Sequence, residues 1–150
     1  MTAVPAEPRT CSIARTLDIV GEKWALLALR EVFLGDRRFD EMVKRTGAPR
    51  DTLAARLRTL VDAGVLERRP YSEHPARFEY FLTEAGLDLY PVITTLRTWG
   101  DKYLAGADGP PLVVEHRCDH ELAARLVCET CGEPVNPRDT RAVRTPAPTR

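Results

Sequence analysis

The sequence predicts a mainly α-helical fold of the α+β class with one β-hairpin, and three observations lead to this prediction. Apolar residues recur at helical spacing up to residue 63, in segments that end at glycines. After Gly64 the pattern alternates, as is typical of strands, and from Thr83 the helical spacing returns. This order is that of a winged helix-turn-helix with a long C-terminal helix. A small β-rich extension that contains cysteines is predicted to follow it.

The first two predicted helices form the start of this domain. The first begins at Ser12, which can cap it, and ends at Gly21. Its apolar side chains share one face and are Ile13, Leu17 and Val20. The second helix follows from Trp24 to Leu34 and is apolar on most sides, which indicates a central helix covered by several neighbours.

Two short helices joined by a glycine-containing turn come next. One extends from Phe39 to Thr46, and the other begins near Pro49, because a missing N–H costs nothing in the first turn of a helix. The inward stripe of the second helix consists of Leu53, Leu57, Leu60 and Val61. This pattern is typical of a helix-turn-helix, whose second helix enters the major groove of DNA.

The segment after Gly64 is predicted to be a hairpin, the wing. Residues 72–75 supply a polar turn that contains proline, and Phe78, Tyr80 and Leu82 share one face of the second strand. Thr83 then caps a single long helix that reaches Tyr103. The apolar face of this helix, which includes Trp99, exceeds what one small domain can cover. It therefore predicts packing across a two-fold axis, with packing inside one chain as the alternative.

The predicted domain organisation has five parts. Residues 1–10 and 138–150 are rich in proline or in polar residues and are predicted to be disordered. The winged helix-turn-helix domain covers 11–105, a linker covers 106–111, and a zinc-ribbon-like extension covers 112–137. The apolar runs are too short to cross a bilayer, and the first residues do not have the form of a secretory signal. The chain is therefore predicted to be cytoplasmic, with no membrane partner.

The charge distribution permits binding to a polyanion. The net charge is zero, but between Arg37 and Arg77 ten basic residues stand against six acidic ones. Such an excess is also found on an ordinary solvated face, so it does not by itself identify a nucleic-acid site.

Several motifs in this order resemble the HxlR-type family of bacterial winged-helix regulators. They are Cys11, Gly21-Glu22-Lys23-Trp24, Phe39-Asp40-Glu41-Met42, residues 53–60, residues 75–86 and Trp99-Gly100. The resemblance covers about residues 11–104. It implies a homodimer whose first and last helices form the interface and whose recognition helices enter successive major grooves of double-stranded DNA. We therefore expect a sequence-specific regulator, a repressor on a palindromic operator, that responds to a redox or small-molecule effector.

The polar face of the second helix of the helix-turn-helix is the predicted DNA-reading surface. Arg56 and Thr52 are the first candidates for base contact, because arginine pairs bidentately with guanine and threonine offers a hydroxyl and a methyl group. Arg50 at the helix start, and Arg77 in the wing, are candidates for backbone contact. The predicted DNA-binding residues are Arg38, Arg50, Asp51, Thr52, Ala55, Arg56, Thr59, His74 and Arg77. The alternative is that these arginines pair with neighbouring acids, Arg56 with Asp62 for example.

The cysteines divide into a single residue and a cluster. Cys11 is the redox-sensing candidate, because the cysteine at this position responds to oxidants in some members of the family that the chain resembles; the alternative is a small core residue. The other candidates could hold zinc and are His116, Cys118, His120, Cys128 and Cys131, with either histidine as fourth ligand. An empty knuckle or a disulfide between Cys128 and Cys131 are the alternatives to zinc.

Two other classes of function are alternatives to a DNA-binding regulator. A thiol oxidoreductase using Cys128 and Cys131 lacks the βαβ pattern and phosphate-binding glycine loop of known enzyme classes, so the sequence predicts no enzyme. A winged helix used only for protein interaction would bind duplex DNA weakly, without salt dependence, or not at all.

Overall fold

A computed structural model describes residues 11–143. Of the residues predicted to be disordered, 1–10 and 144–150 lie outside the described residues, whereas 138–143 are described and begin within a 3-10 turn. The elements in chain order are α1 Ser12–Val20, α2 Lys23–Leu34, α3 Phe39–Thr46, α4 Arg50–Asp62, β1 Leu66–Glu73, β2 Ala76–Leu82, α5 Glu84–Leu87, α6 Tyr90–Leu104 and a 3-10 turn at Pro137–Asp139. This order confirms the mainly helical fold with a winged helix-turn-helix.

The chain divides into two compact units, the first ending at Arg97 and the second beginning at Thr98. In the first unit, α2 packs against α1, α3, α4 and β2, so it is the central helix that its apolar composition predicts. The core contains Val20, Ala25, Ala28, Leu29, Val32, Met42, Ala48, Leu53, Leu57, Leu60, Val65 and Leu66. Most of these residues come from α2 and α4, so the helix-turn-helix is held by the centre of the core.

The helix ends follow the glycine signals closely. Gly35 and Gly47 adopt left-handed backbone conformations, with φ of 100° and 70°, directly after α2 and α3. A residue without Cβ adopts this conformation at little cost, which explains why both helices end there. Two predicted starts shift by one residue, since Cys11 rather than Ser12 is the N-cap of α1 and Pro49 is the N-cap of α4.

The hairpin is longer than predicted and its turn is shorter. Only His74 and Pro75 lie between the strands, whereas the sequence predicted a turn over residues 72–75. The strands pair antiparallel, and the register shifts between Pro70 and Ser72, where β1 has an irregularity. Such an irregularity accommodates the missing N–H of Pro70 within a strand. A bridge between Arg38 and Glu79 adds a short third segment to β2 that the sequence did not predict.

The predicted single long helix after Thr83 is wrong, because the structure divides it into α5 and α6. Thr83 does cap α5, and its hydroxyl accepts a bond from the Gly86 N–H at 3.1 Å. Pro91 has no N–H to donate to the carbonyl of Leu87, and its ring would clash with that carbonyl in a continuous helix. The helix therefore ends at Leu87 and begins again at Tyr90, where Pro91 lies in the first turn.

The second unit contains the end of α6 and the C-terminal extension. Its described residues contain two isolated β-bridges, Glu115 with Glu121 and Val127 with Pro134, and no strand, so the predicted β-rich character of the extension is not confirmed. Each bridge closes a tight turn. The first turn contains His116, Cys118 and His120, and the second contains Cys128 and Cys131. Among residues 11–143, no helix is long and apolar enough to span a bilayer.

Candidate nucleic-acid interface

The recognition helix α4 is anchored on one side only. Leu53, Leu57 and Leu60 are fully buried, which confirms the predicted inward stripe, while Val61 is half-buried. On the other side Asp51 and Arg58 are exposed. Arg50, at the start of the helix, is exposed as well, whereas Thr52, Ala55, Arg56 and Thr59 are half-buried. The helix thus divides as predicted, but its accessible polar face is narrower than the periodicity suggests.

Arg56 has an unusual environment within α4. Its Nε atom is shielded from solvent and has no hydrogen-bond partner among the described residues. A buried donor without a partner costs about 1–3 kcal/mol, so this atom gains stability when an acceptor reaches it. The hydroxyl of Thr59, by contrast, already donates to the carbonyl of Ala55 at 3.1 Å.

Three of the predicted DNA-binding arginines line one groove. This groove has a volume of about 420 Å³ and lies between α3, the start of α4 and the hairpin. Arg38, Arg50 and Arg77 contribute to its walls, together with Asp40 and Glu41. The structure therefore brings together basic residues that are separated by up to 39 positions in the sequence.

Two of these three arginines are held by acidic and aromatic neighbours. Arg50 Nη2 lies 2.7 Å from Asp40 Oδ1, and its guanidinium stacks over Phe39. Arg38 Nε lies 3.0 Å from Glu79 Oε1, so its acidic partner is distant in sequence and is not one of the neighbouring acids considered as the alternative to DNA contact. These arginines are more than half exposed, so their ion pairs leave donors for another acceptor. Arg77 is exposed and makes no ion pair within the described part of the chain.

Three further arginines stack on the aromatic residues of β2, and two of them, Arg68 and Arg69 of β1, were not among the predicted DNA-binding residues. Arg68 stacks over Phe78 at 4.1 Å, and Arg37 and Arg69 stack over Phe81 at 4.5 and 4.3 Å. Stacking fixes the guanidinium plane while its edge stays open to a phosphate. The sequence signal for this stacking was the pair Arg68-Arg69 in β1 together with the aromatic residues of β2. His74 is exposed in the turn of the same hairpin.

A second groove connects α4 with the hairpin. It has a volume of about 360 Å³, and Arg58 and Arg68 line it beside Asp62 and Tyr80. The recognition helix and the wing are therefore adjacent basic surfaces. Such an arrangement can place the helix in the major groove of a duplex while the wing contacts the neighbouring phosphate backbone.

Cys11, the redox-sensing candidate, is the N-cap of α1 and is half-buried. Its carbonyl accepts a bond from the Arg15 N–H at 3.1 Å, whereas its side chain makes no capping bond. The thiol is therefore partly accessible and does not belong to the buried core cluster.

The five candidate metal ligands are brought together only in pairs. His116 Nδ1 lies 3.4 Å from Cys118 Sγ, and His120 Nδ1 lies 2.7 Å from the Cys118 carbonyl oxygen. Within residues 11–143 no three metal-binding side chains form a cluster that could hold an ion. The structure therefore gives no support to the predicted zinc site, which needs four ligands around one point.

Cys128 has a perturbed acidity. Hydrogen bonds from the backbone N–H of Cys131, then from that of Thr130, hold the pKa of the Cys128 thiol below its ordinary value, because they stabilise the thiolate. The Cys131 thiol contributes in the same direction.

A recognition helix anchored by leucines beside a basic hairpin defines the winged helix-turn-helix class of DNA-binding transcriptional regulators. The profile of the HxlR-like helix-turn-helix family matches residues 19–108. The chain belongs to this family, which confirms the resemblance drawn from its motifs. It is a transcriptional regulator with a helix-turn-helix domain.

Individual relatives agree with this assignment. The chain is 48% identical over 129 residues to the uncharacterised HTH-type transcriptional regulator Rv3095 of Mycobacterium tuberculosis, which spans 85% of this chain and 82% of the relative. The solved structure of PA1607, named as a candidate transcription factor, superposes with a TM-score of 0.80 at 34% identity and covers 91% of this chain and 96% of its own. The redox regulator HypR in its oxidised form gives a TM-score of 0.53 at 31% identity, covering 61% and 96%.

Proposed function

We propose that the protein is a cytoplasmic, homodimeric repressor that binds a palindromic operator in double-stranded DNA. The observation that carries this proposal is the division of α4 between a fully buried leucine face and an outer face that is polar and basic. A helix must be held to its own domain on one side and present polar groups on the other if it is to read the major groove.

In this proposal the candidate residues have two tasks. Arg56 and Thr52 contact base edges, with Asp51, Ala55 and Thr59 beside them on the same helix. The backbone contacts come from the groove and the hairpin, through Arg38, Arg50, His74 and Arg77. The half-buried Arg56 makes no ion pair among residues 11–143, which supports its assignment as a base reader because its guanidinium is not held by an acid.

The variant Arg56→Ala tests this assignment. We expect it to weaken operator binding by about 5-fold to 150-fold, since a bidentate contact to a base contributes about 1–3 kcal/mol of discrimination. Binding to random duplex is expected to change much less. Fluorescence anisotropy with both duplexes at one salt concentration measures the two affinities. Arg125→Ala, an exposed arginine in the C-terminal extension, is the matched control; equal loss on both duplexes would remove Arg56 from the base-reading set.

Dimerisation is supported by apolar side chains that each unit leaves exposed. In α1, Ile13 and Leu17 are 70% and 54% exposed, and in α6, Trp99 and Tyr103 are 59% and 60% exposed. Large apolar side chains on a helix face are typical of a surface that another subunit covers. This agrees with the interface between first and last helices that the family resemblance implies.

The double variant Ile13→Glu/Leu17→Glu tests the interface. We expect it to sediment as a monomer at micromolar concentration while the parent protein sediments as a dimer, because two charges would have to be buried at the contact. Its affinity for a full palindrome is expected to fall to that for a half-site. Leu126→Glu, which also changes an exposed apolar residue, serves as control. A parent protein that sediments as a monomer contradicts the proposal.

Cys11 is proposed as the site through which oxidants regulate this repressor. The support is its partly accessible thiol and the name of the structurally similar HypR, a redox regulator. Mild oxidation is expected to weaken operator binding by about 5-fold to 150-fold, the usual range of coupling between sites. A mobility-shift titration before and after peroxide treatment measures the effect. A Cys11→Ser variant that loses binding on oxidation as the parent does would exclude this role.

A further inference from the structure

The turn that contains Cys128 and Cys131 is a closed structural unit. The Cys128 N–H donates to the Glu133 carbonyl at 2.8 Å, and the Gly132 N–H donates to the Cys128 carbonyl at 2.7 Å. Gly132 has a φ of 75°, a left-handed conformation that lets the chain reverse directly after Cys131. The backbone therefore holds two cysteines, with two residues between them, on the same tight turn.

The two thiols of this turn interact with each other. The Cys131 thiol is a hydrogen-bond partner of the Cys128 thiol, and the N–H groups of Thr130 and Cys131 also donate to the Cys128 sulfur. Neither cysteine forms a disulfide in this structure, and Cys131 is exposed while Cys128 is half-buried. Two cysteines on one closed turn, with hydrogen-bond donors directed at the first sulfur and the second thiol exposed to solvent, are the arrangement of a reactive dithiol.

We infer that Cys128 and Cys131 form a reversible dithiol–disulfide site that reacts with hydroperoxides. The Cys128 thiolate attacks the terminal peroxide oxygen, the O–O bond breaks, and the leaving alkoxide takes a proton to become an alcohol. The Cys131 thiol then attacks the sulfur of the Cys128 sulfenic acid. The S–S bond forms as hydroxide leaves and takes the Cys131 proton. Two thiols and one hydroperoxide thus give one disulfide, one alcohol and one water.

The surroundings favour this chemistry over the two other uses of such a turn. A zinc ion would need further ligands, and the described residues gather no third metal-binding side chain at this turn. The thiol of Cys118 lies in another turn, where His116 Nδ1 is 3.4 Å away. Backbone hydrogen bonds already hold Cys128 and Cys131 on one closed turn, so a disulfide between them does not require separate segments of the chain to approach each other.

Peptide mapping of the full chain tests this site. The reduced protein is treated with one equivalent of hydrogen peroxide, alkylated with iodoacetamide and digested with trypsin, which cleaves after Arg117, Arg125 and Arg138. Peptide 126–138 then carries only Cys128 and Cys131, and peptide 118–125 carries only Cys118. We expect most of peptide 126–138 to lose both alkylation sites and two hydrogen masses, and dithiothreitol to restore them.

Two variants make the result specific. Cys118→Ser should give the same internal disulfide as the parent protein. Cys131→Ser should give instead a sulfenic acid at Cys128 that dimedone traps. The inference is overturned if peptide 126–138 remains fully alkylated, if it is cross-linked to peptide 118–125, or if purified protein holds stoichiometric zinc that keeps these thiols from reacting. None of these outcomes depends on DNA binding, so this experiment tests the dithiol site independently of the proposed repressor function.

Discussion

The variant Leu57→Ala is expected to lose about 2–5 kcal/mol of its free energy of unfolding, the cost of a cavity in a well-packed core. Leu57 is fully buried between the other two anchoring leucines of α4. A domain of this size has a total stability of about 5–15 kcal/mol, so the loss is a large share of it. Operator binding should fall with it, because α4 is attached to the domain by this leucine face.

Urea denaturation followed by circular dichroism measures the change in stability. Arg58→Ala, the next residue along the same helix, is the matched control because its side chain is exposed, and its stability should change by less than about 0.5 kcal/mol. If Leu57→Ala changed stability no more than this control, α4 would not be anchored through its leucine face, and the basis of the proposed function would be lost.

The helices could be predicted where local signals and packing agree. Gly35 and Gly47 end α2 and α3 in the left-handed conformation that their sequence positions suggest. The stripe of Leu53, Leu57 and Leu60 predicts the orientation of α4, because a helix with 3.6 residues per turn and one apolar face can bury only that face in the core.

The division between α5 and α6 could not be predicted from periodicity. The apolar positions Leu87, Tyr90 and Ile93 continue at helical spacing across the break, so only the backbone chemistry of Pro91 marks it. Gly86 in α5 also makes a tertiary contact that the sequence pattern does not reveal, because a Cβ at this position would lie 2.2 Å from the carbonyl oxygen of Val65. A close approach between segments that are distant in the chain has no signature in a local pattern.

The partners of the arginines were the least predictable part of the site. Sequence proximity suggested Asp62 for Arg56, but two of the groove arginines pair with acids of other elements, Arg38 of the segment before α3 with Glu79 of β2 and Arg50 of α4 with Asp40 of α3. The stacking of Arg37 and Arg69 on Phe81 depends in the same way on the hairpin register. Residue types thus predicted a basic surface, and only the tertiary structure shows which cations share a groove.

The triple variant Arg38→Gln/Arg50→Gln/Arg77→Gln is expected to bind all duplexes more weakly and with a flatter salt dependence. These three side chains line one groove beside the recognition helix. The slope of log K against log salt should fall by about 0.9 for each phosphate contact that is removed. Their ion pairs with Asp40 and Glu79 are exposed on the arginine side, so their loss should cost at most about 1 kcal/mol each in stability.

Titration of operator and random duplex at several potassium chloride concentrations measures these slopes. The control Arg117→Gln/Arg125→Gln/Arg138→Gln removes the same charge from exposed positions in the C-terminal extension. If the control flattened the slope as much as the groove variant, long-range attraction by the whole protein would explain the salt dependence. A smaller effect in the control would instead mean that the phosphates lie along the groove. The N-terminal ends of α3 and α4 would then be oriented on the duplex by contacts to its phosphate backbone, and these contacts would position the recognition helix for base contact.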